Sequence, residues 1–174
     1  MMRSRLGLAV ACLLVSIGSA AAQKQGGTLR VTHRDNPPSA SILEEATIST
    51  DMPFMGVFNN LVVFDPDSPL NRLDKVVPDL ATSWAWSDDD RTLTFQLRDG
   101  VKWHDGKPFT SADVKCTWDM LTGKVNGKLR KNPRKTWWFN VQDVATDGDT
   151  KVVFHLKDPQ PSIMAMFAGG FSPV

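Results

Sequence analysis

Cysteine is nearly absent from the sequence. The chain of 174 residues has two cysteines, Cys12 and Cys116, and Cys12 lies in an N-terminal segment that we predict to be removed. Cys116 is then the only thiol, so no intramolecular disulfide can form. A protein exported without disulfides must be stabilised by the packing of its core.

An excess of charge of one sign is also missing. Twenty Lys and Arg residues stand against nineteen Asp and Glu residues. Removal of the N-terminal segment takes away Arg3 and Arg5, so eighteen basic residues remain and the net charge falls to about −1. Such a balance gives no broad electrostatic footprint for nucleic acid or an anionic membrane. We therefore expect no nucleic-acid partner.

Long hydrophobic runs are limited to one, Leu6–Ile17. It follows two arginines and precedes the small residues Ser19–Ala22, the order found in a secretory signal peptide. The run is too short to span a bilayer. We predict a signal peptide over residues 1–22 and a soluble, exported chain that begins at Gln23.

Cys12 leaves a lipoprotein signal as an alternative. Ala9, rather than Leu, stands three residues before this cysteine, and the apolar run continues beyond it. We therefore expect no lipid anchor.

Motifs for catalysis, metals and cofactors are missing as well. His33, His104 and His155 do not form H-x-x-H or H-E-x-x-H pairs. Asp88–Asp90 lack the alternating donors, central Gly and closing Glu of a calcium loop. Cys116 has no adjacent base, and the chain has neither a G-x-S-x-G elbow nor a phosphate loop. We expect no catalytic residue, metal or cofactor, and solvated or locally hydrogen-bonded His104 and His155.

Several segments have the alternation of strands. Residues 91–98 are the clearest, with Leu93, Phe95 and Leu97 on one face. Turn residues Asp99-Gly100 predict a tight hairpin to a second strand over residues 101–103. The remaining predictions are strands at 28–32 and 61–64, irregular structure at 76–81, and a hairpin over 139–156 that turns at Asp147-Gly148.

Three helices are predicted. The first begins at Thr50 as N-cap and places residues through Leu61 on one apolar face. The second begins at Thr110, where Asp113 stands at the capping-box position and Phe109 and Val114 can form a hydrophobic staple. The third covers residues 163–168 and ends at Gly169-Gly170. Small antiparallel hairpins with helices on one face predict a two-layer α+β unit.

The tryptophans are many for this length, and tyrosine is absent. We expect Trp103 and Trp118 in the core. Trp137 and Trp138 follow a basic loop, residues 123–135, and cannot both point inward on a strand. One of them lines a cleft, where an indole offers a large contact area, or else packs on the surface against the loop.

Four segments carry a pattern that extends from about residue 28 to the end of the chain: Leu80-Ala-Thr-Ser-Trp84, Ser87-Asp88-Asp89, the gapless run of residues 92–114, and the hairpin over residues 140–159. This pattern resembles that of the family 5 extracellular solute-binding proteins. Asp90 departs from the family pattern, which has Gly there, and this departure affects a turn.

The resemblance implies a periplasmic, two-lobed α/β protein of the type II periplasmic binding protein class, α+β in this portion. Family members are much longer, so we expect this chain to be an N-terminal part that ends before the second lobe. It would comprise the signal peptide, residues 23–49 with the first strand and loop of lobe I, and residues 50–174 as an adjacent α+β subdomain. We expect this chain alone to bind no ligand tightly.

The resemblance also implies the function and the binding residues. The chain would be the solute-binding component of an ATP-driven importer, a monomer that delivers oligopeptides or dipeptides to the permease subunits. Nickel complexes, glutathione and opines remain alternative ligands. The family's ligand contacts correspond here to His33, Arg34 and Asp35, to Trp137, and to Gly170 and Phe171.

Two other functions stay open from the residues alone. One is an exported enzyme that uses this subdomain, although no catalytic constellation is present in the chain. The other is a remnant or partial gene product that does not fold stably.

Overall fold

A computed structural model of the protein describes residues 26–33, 35–125 and 128–174. The predicted signal peptide and Arg34 lie outside the described residues. The chain divides into one unit that ends at Thr32 and a second unit, His33–Val174. The elements of the second unit are, in order, α1 (Ile48–Phe54), β1 (Val62–Phe64), β2 (Val76–Pro78), β3 (Ala81–Trp86), β4 (Thr92–Leu97), α2 (Ser111–Thr122), β5 (Val141–Asp147), β6 (Lys151–Leu156) and α3 (Ile163–Ala168).

A four-stranded antiparallel sheet carries the core. Its strand order is β3-β4-β6-β5, and β1 and β2 form a separate two-stranded sheet. The predicted alternation of β4 is confirmed, because Leu93, Phe95 and Leu97 are buried. Phe95 meets Phe154 and Phe167 edge to face, with centroids 5.8 and 5.2 Å apart. The helices α2 and α3 bury their apolar residues in this same core, as the two-layer prediction requires.

The predicted start of α2 is confirmed. The backbone N–H of Thr110 donates to the Asp113 carboxylate at 2.8 Å, so the acidic residue at the third helical position closes the capping box. Phe109 and Val114 are both buried. Gly123 ends the helix with φ 78°, a left-handed conformation that glycine adopts without strain. The hairpin of β5 and β6 and the helix α3 also lie where they were predicted.

The predicted hairpin between β4 and residues 101–103 is wrong. Both edges of β4 are occupied, one by β3 and the other by β6, so no edge is left for a local partner. Residues 101–109 instead fold on themselves through a bridge between Lys102 and Pro108. Trp103 is consequently 37% exposed and packs edgewise on Phe109, so its predicted place in the core is also wrong.

The first helix differs from its prediction at both ends. Thr47, not Thr50, is the N-cap, and the helix ends at Phe54. Thr50 is buried and donates to the Ser39 carbonyl, because tertiary contacts override its local capping preference. Val57 and Phe58 lie beyond the helix and are partly exposed.

Two strand predictions also need correction. Residues 76–81 are not irregular, since β2 pairs with β1 and β3 begins at Ala81. Pro78 fits because it is the last residue of a short edge strand, where no ladder N–H is needed. Residues 28–32 are not in a strand, and Leu29 and Val31 are 87% and 79% exposed. A strand requires a paired neighbour, and none of the described residues provides one.

Helices long and apolar enough to cross a membrane do not occur in the part of the chain that the structure describes.

The turn before β4 gives the first testable prediction. Asp90 has φ 54°, the left-handed region that a side chain occupies at a cost. Asp90→Gly removes this strain, which raises the free energy of unfolding. The added backbone entropy of the unfolded state opposes that effect, so we expect a net gain of about 0.5 kcal/mol. Urea denaturation measures it. Asp88→Gly, in the same turn without positive φ, should give no gain; equal effects would contradict the prediction.

Candidate ligand-binding site

Two of the residues predicted to contact ligand lie together. The rings of Trp137 and Phe171 meet edge to face, with centroids 6.3 Å apart and an interplanar angle of 89°. Trp137 is 44% exposed and Phe171 36% exposed, so both present ring surface to solvent. We call these two residues the aromatic platform.

Trp138 explains why Trp137 points outward. The two indoles lie in a 3₁₀ turn, Lys135–Trp138, rather than in a strand. Trp138 is 2% exposed and packs on Trp118 with centroids 5.4 Å apart. The strand in which the two indoles were expected to alternate is absent, but only one of them is buried, and the buried one anchors the turn that presents the other.

Gly170 allows close packing beside the platform. A side chain at this position would collide with the Cε atom of Met55, which lies just beyond α1. A groove of about 260 Å³ opens alongside, lined mainly by apolar residues that include Met55, Phe58 and Ala168. Methionine adapts its shape readily, so this groove can accommodate apolar groups of different size.

Arg134 lies beneath the platform, and the sequence did not single it out. Its side chain is 1% exposed. Its Nη2 atom donates to Asp51 Oδ1 at 2.7 Å, and its Nη1 atom donates to the Ile42 carbonyl. The guanidinium carbon lies 5.5 Å from the ring centroid of Trp137 and 5.4 Å from that of Phe171, within range of cation–π attraction.

No sequence signal could have distinguished Arg134 from the other basic residues of its loop. Asp51 lies 83 positions away in the chain, and the pattern of a loop does not reveal a partner at that distance. Two loop neighbours, Arg130 and Lys131, are 70% and 65% exposed, whereas Arg134 is buried.

The third predicted segment lies by α1. Asp35 accepts a hydrogen bond of 3.0 Å from Ser49 Oγ in the first turn of that helix. The Nε2 atom of His33 is buried and has no hydrogen-bond partner among the described residues. Arg34 is outside them. Asp35 is thus attached to α1, the helix that also contains Asp51.

Two further ion pairs hold the segment before α1. The Glu44 carboxylate accepts hydrogen bonds from Arg130 Nη2 at 2.7 Å and from the Arg130 backbone N–H at 2.6 Å. The Glu45 carboxylate pairs with Lys131 Nζ at 3.1 Å. The side-chain hydrogen bond from Arg130 is the main cause that lowers the pKa of Glu44 from 4.5 to about 2. This acidic pair ties residues 44–45 to the loop that carries Arg134.

The chemistry of the site favours binding over catalysis. The platform offers exposed ring surface, the groove offers apolar contact, and the nearby charges are engaged in ion pairs. Over the described ranges, no cluster of His, Cys, Asp or Glu could hold a metal ion. His155 has Thr92 Oγ1 at 3.4 Å from its Nδ1 atom, a contact with the neighbouring strand β4 rather than with a residue near it in sequence.

Comparison with protein families gives a match to one of them. The model described as bacterial extracellular solute-binding proteins, family 5 Middle, matches residues 75–174. That span is more than half of the chain and contains Arg134, Trp137, Gly170 and Phe171.

Curated relatives match more than half of the chain. A protein of Brucella ovis, named as an ABC transporter peptide-binding protein, is 36% identical over 107 residues, covering 62% of this chain and 18% of its own. The periplasmic alpha-galactoside-binding protein of Rhizobium meliloti is 51% identical over 103 residues, covering 56% of this chain and 14% of its own. The chain thus spans less than a fifth of the length of either relative.

Solved structures confirm the fold. OppA of Haemophilus influenzae, crystallised with the peptide RPPGFSPFR, superposes with a TM-score of 0.67 over 80% of this chain and 29% of that one. The sequence identity is 21%, so this likeness concerns the fold alone. The predicted α/β class, a partial type II periplasmic binding protein, is confirmed.

The buried pair Arg134–Asp51 gives a stability prediction. Arg134→Met leaves the Asp51 carboxylate buried without its partner, which should lower the free energy of unfolding by about 3–5 kcal/mol. The double variant with Asp51→Leu removes both charges and should lose less than Arg134→Met alone. Urea denaturation monitored by circular dichroism measures both.

Arg72→Met is the matched control, because Arg72 and its partner Asp74 are both largely exposed and such pairs contribute about 0–1 kcal/mol. Equal losses for Arg72→Met and Arg134→Met would refute the assigned role of burial.

Glu44 gives a pH prediction. Its pKa is lower in the folded protein than in the unfolded chain, so its contribution to stability is complete above pH 4.5 and is lost as the pH falls toward 2. Glu44→Gln should reduce the loss of stability between pH 5 and about 2.5, measured by thermal unfolding. Arg130→Met should have the same effect, because it removes the main cause of the shift. An unchanged pH profile in both variants would show that the ion pair does not contribute.

Proposed function

Because this chain belongs to the bacterial extracellular solute-binding proteins of family 5, we propose that it forms part of the solute-binding component of an ATP-driven importer for peptides. The peptide-binding relatives support the peptide as ligand. The exposed platform of Trp137 and Phe171, in the family-matched segment, is the observation that carries the proposal. Because the chain spans less than a third of those relatives, ligand and partners are proposed rather than established.

The platform and its groove suit a peptide. Peptide-binding surfaces combine contact to the main chain with pockets that accept different side chains. The edge-to-face rings provide a rigid apolar wall, and the groove next to Gly170 provides an adaptable pocket. Asp35, which Ser49 of α1 holds, would add a polar contact, and the family resemblance adds His33 and Arg34 to the proposed ligand contacts.

We further propose that the protein works in the periplasm and as a monomer, and that it delivers ligand to permease subunits of the importer. Relatives named as periplasmic support the compartment. The signal peptide proposed for residues 1–22 is the route by which the chain would reach it.

An α-galactoside is the second candidate ligand. The relative of Rhizobium meliloti named for that ligand is 51% identical over 103 residues, a higher identity than that of the Brucella protein. Exposed indole and phenyl rings also suit sugars, since an aromatic ring provides a flat apolar surface for the C–H face of a sugar. The same platform therefore serves either ligand class.

The other functions that the residues left open receive less support. The relatives are binding proteins of transporters and not enzymes. A remnant that does not fold would show no cooperative unfolding, whereas a contiguous core of aromatic and aliphatic residues predicts a cooperative transition.

Tryptophan fluorescence tests the proposal on this chain. Titration with dipeptides to pentapeptides up to several millimolar should give a saturable change with a Kd of about 1 mM, because one platform and a groove bury only part of a ligand. Melibiose and raffinose are titrated in parallel as α-galactosides. Saturation by the sugars alone would favour the second candidate.

Trp137→Phe should abolish the response, because the platform indole reports the ligand. Trp103→Phe is the matched control: Trp103 is similarly exposed and also packs edgewise on a phenylalanine, but on another turn. No saturation with either ligand class, or an unchanged response in Trp137→Phe, would refute the proposal.

A further inference from the structure

Arg134 makes contacts on three sides that no local pattern requires. It binds the carboxylate of Asp51 in α1, it binds the carbonyl of Ile42, and it lies against both rings of the aromatic platform. We propose that Arg134 is a positioning residue, which fixes the platform in one arrangement and thereby sets the affinity for ligand without contacting the ligand. This inference rests on the proposed function.

The chemistry of arginine suits this position. A guanidinium stays charged and is planar, so it can donate in two directions in its plane while aromatic rings cover its faces. The Nη1 and Nη2 atoms are engaged by Ile42 and Asp51, which fixes the plane. Two rings that meet at 89° then each lie about 5.5 Å from the same cation. Lysine has no plane, so it cannot hold both rings.

Burial makes the arrangement rigid. The side chains of Arg134 and Asp51 are 1% and 2% exposed. If the two charges separated, each would be buried without a partner, which is strongly unfavourable. The pair therefore holds the guanidinium in one position beneath the platform. The buried Nε atom of Arg134 has no hydrogen-bond partner among the described residues. Because this N–H donor is left without an acceptor, hydrogen bonding alone does not explain the orientation of the Arg134 guanidinium.

Asp51 extends the support to the other predicted part of the site. It lies in α1 two residues after Ser49, which holds Asp35. Thr50, between them, donates to the Ser39 carbonyl, so one short helix fixes both the segment 35–39 and the carboxylate that orients Arg134. Arg134 is therefore the side chain that joins the platform to the helix that holds Asp35.

Fluorine NMR tests the positioning role without any ligand. The full chain is labelled with 5-fluorotryptophan, which gives a resonance for each of the six tryptophans, and Trp137→Phe assigns the platform line. Arg134→Lys should shift and broaden the Trp137 line, while Arg130→Lys in the same loop should leave it unchanged. Circular dichroism verifies that each variant is folded. If Arg134→Lys does not fold, Asp51→Asn carries the same test, because it keeps the shape of the partner and removes its charge.

Ligand titration adds the second arm. With the peptide or galactoside that the parent chain binds, Arg134→Lys should weaken affinity about tenfold, and Arg130→Lys less than twofold. An unchanged Trp137 line would overturn the inference, and so would a shifted line with unchanged affinity. If the parent chain binds neither ligand class, the proposed function fails, while the spectrum still decides whether Arg134 fixes the platform.

Discussion

A buried ion pair, Arg134 with Asp51, imposes the constraint on which the part of the molecule that carries the aromatic platform depends. Two charges that are almost fully removed from water must stay together, since either one alone would be strongly unfavourable. This requirement fixes where α1 lies, how the loop after α2 returns, and where the 3₁₀ turn with Trp137 begins. The exposed rings of the platform are thus held by an interaction that solvent does not reach.

The core of the molecule is organised by apolar packing. Phe95, Phe154, Phe167 and Trp118 meet at centroid distances between 4.8 and 5.8 Å, mostly edge to face. Such contacts add to the gain from burial and fix the relative positions of the sheet and helices. This cluster takes the place of the disulfides that the described part of the chain does not have. Trp138 lies at the boundary, because it packs on Trp118 and presents its neighbour Trp137 to solvent.

Local physics made some elements predictable and left others out of reach. Thr110 with Asp113, and the Asp-Gly turn between β5 and β6, are decided by neighbours within four residues, and the sequence predicted both. The prediction of a hairpin strand at residues 101–103 is wrong because β6, which is far along the chain, occupies the edge of β4. The prediction of Thr50 as the N-cap of α1 is wrong because residues distant in sequence bury its side chain. For the proposed site, the family resemblance suggested Trp137 and Phe171, which the structure brings together, but the position of Arg134 depends on a partner 83 positions away.

The order of the strands has a consequence for when the chain can fold. The central pair, β4 with β6, joins residues such as Thr92 and His155, which are 63 positions apart. Closing so large a loop is entropically unfavourable until the rest of the core can compensate, so the central sheet has no stable native form before the last strands are available. For the export proposed above this delay is favourable, because a chain whose central sheet is unfinished stays unfolded while it passes through a membrane pore.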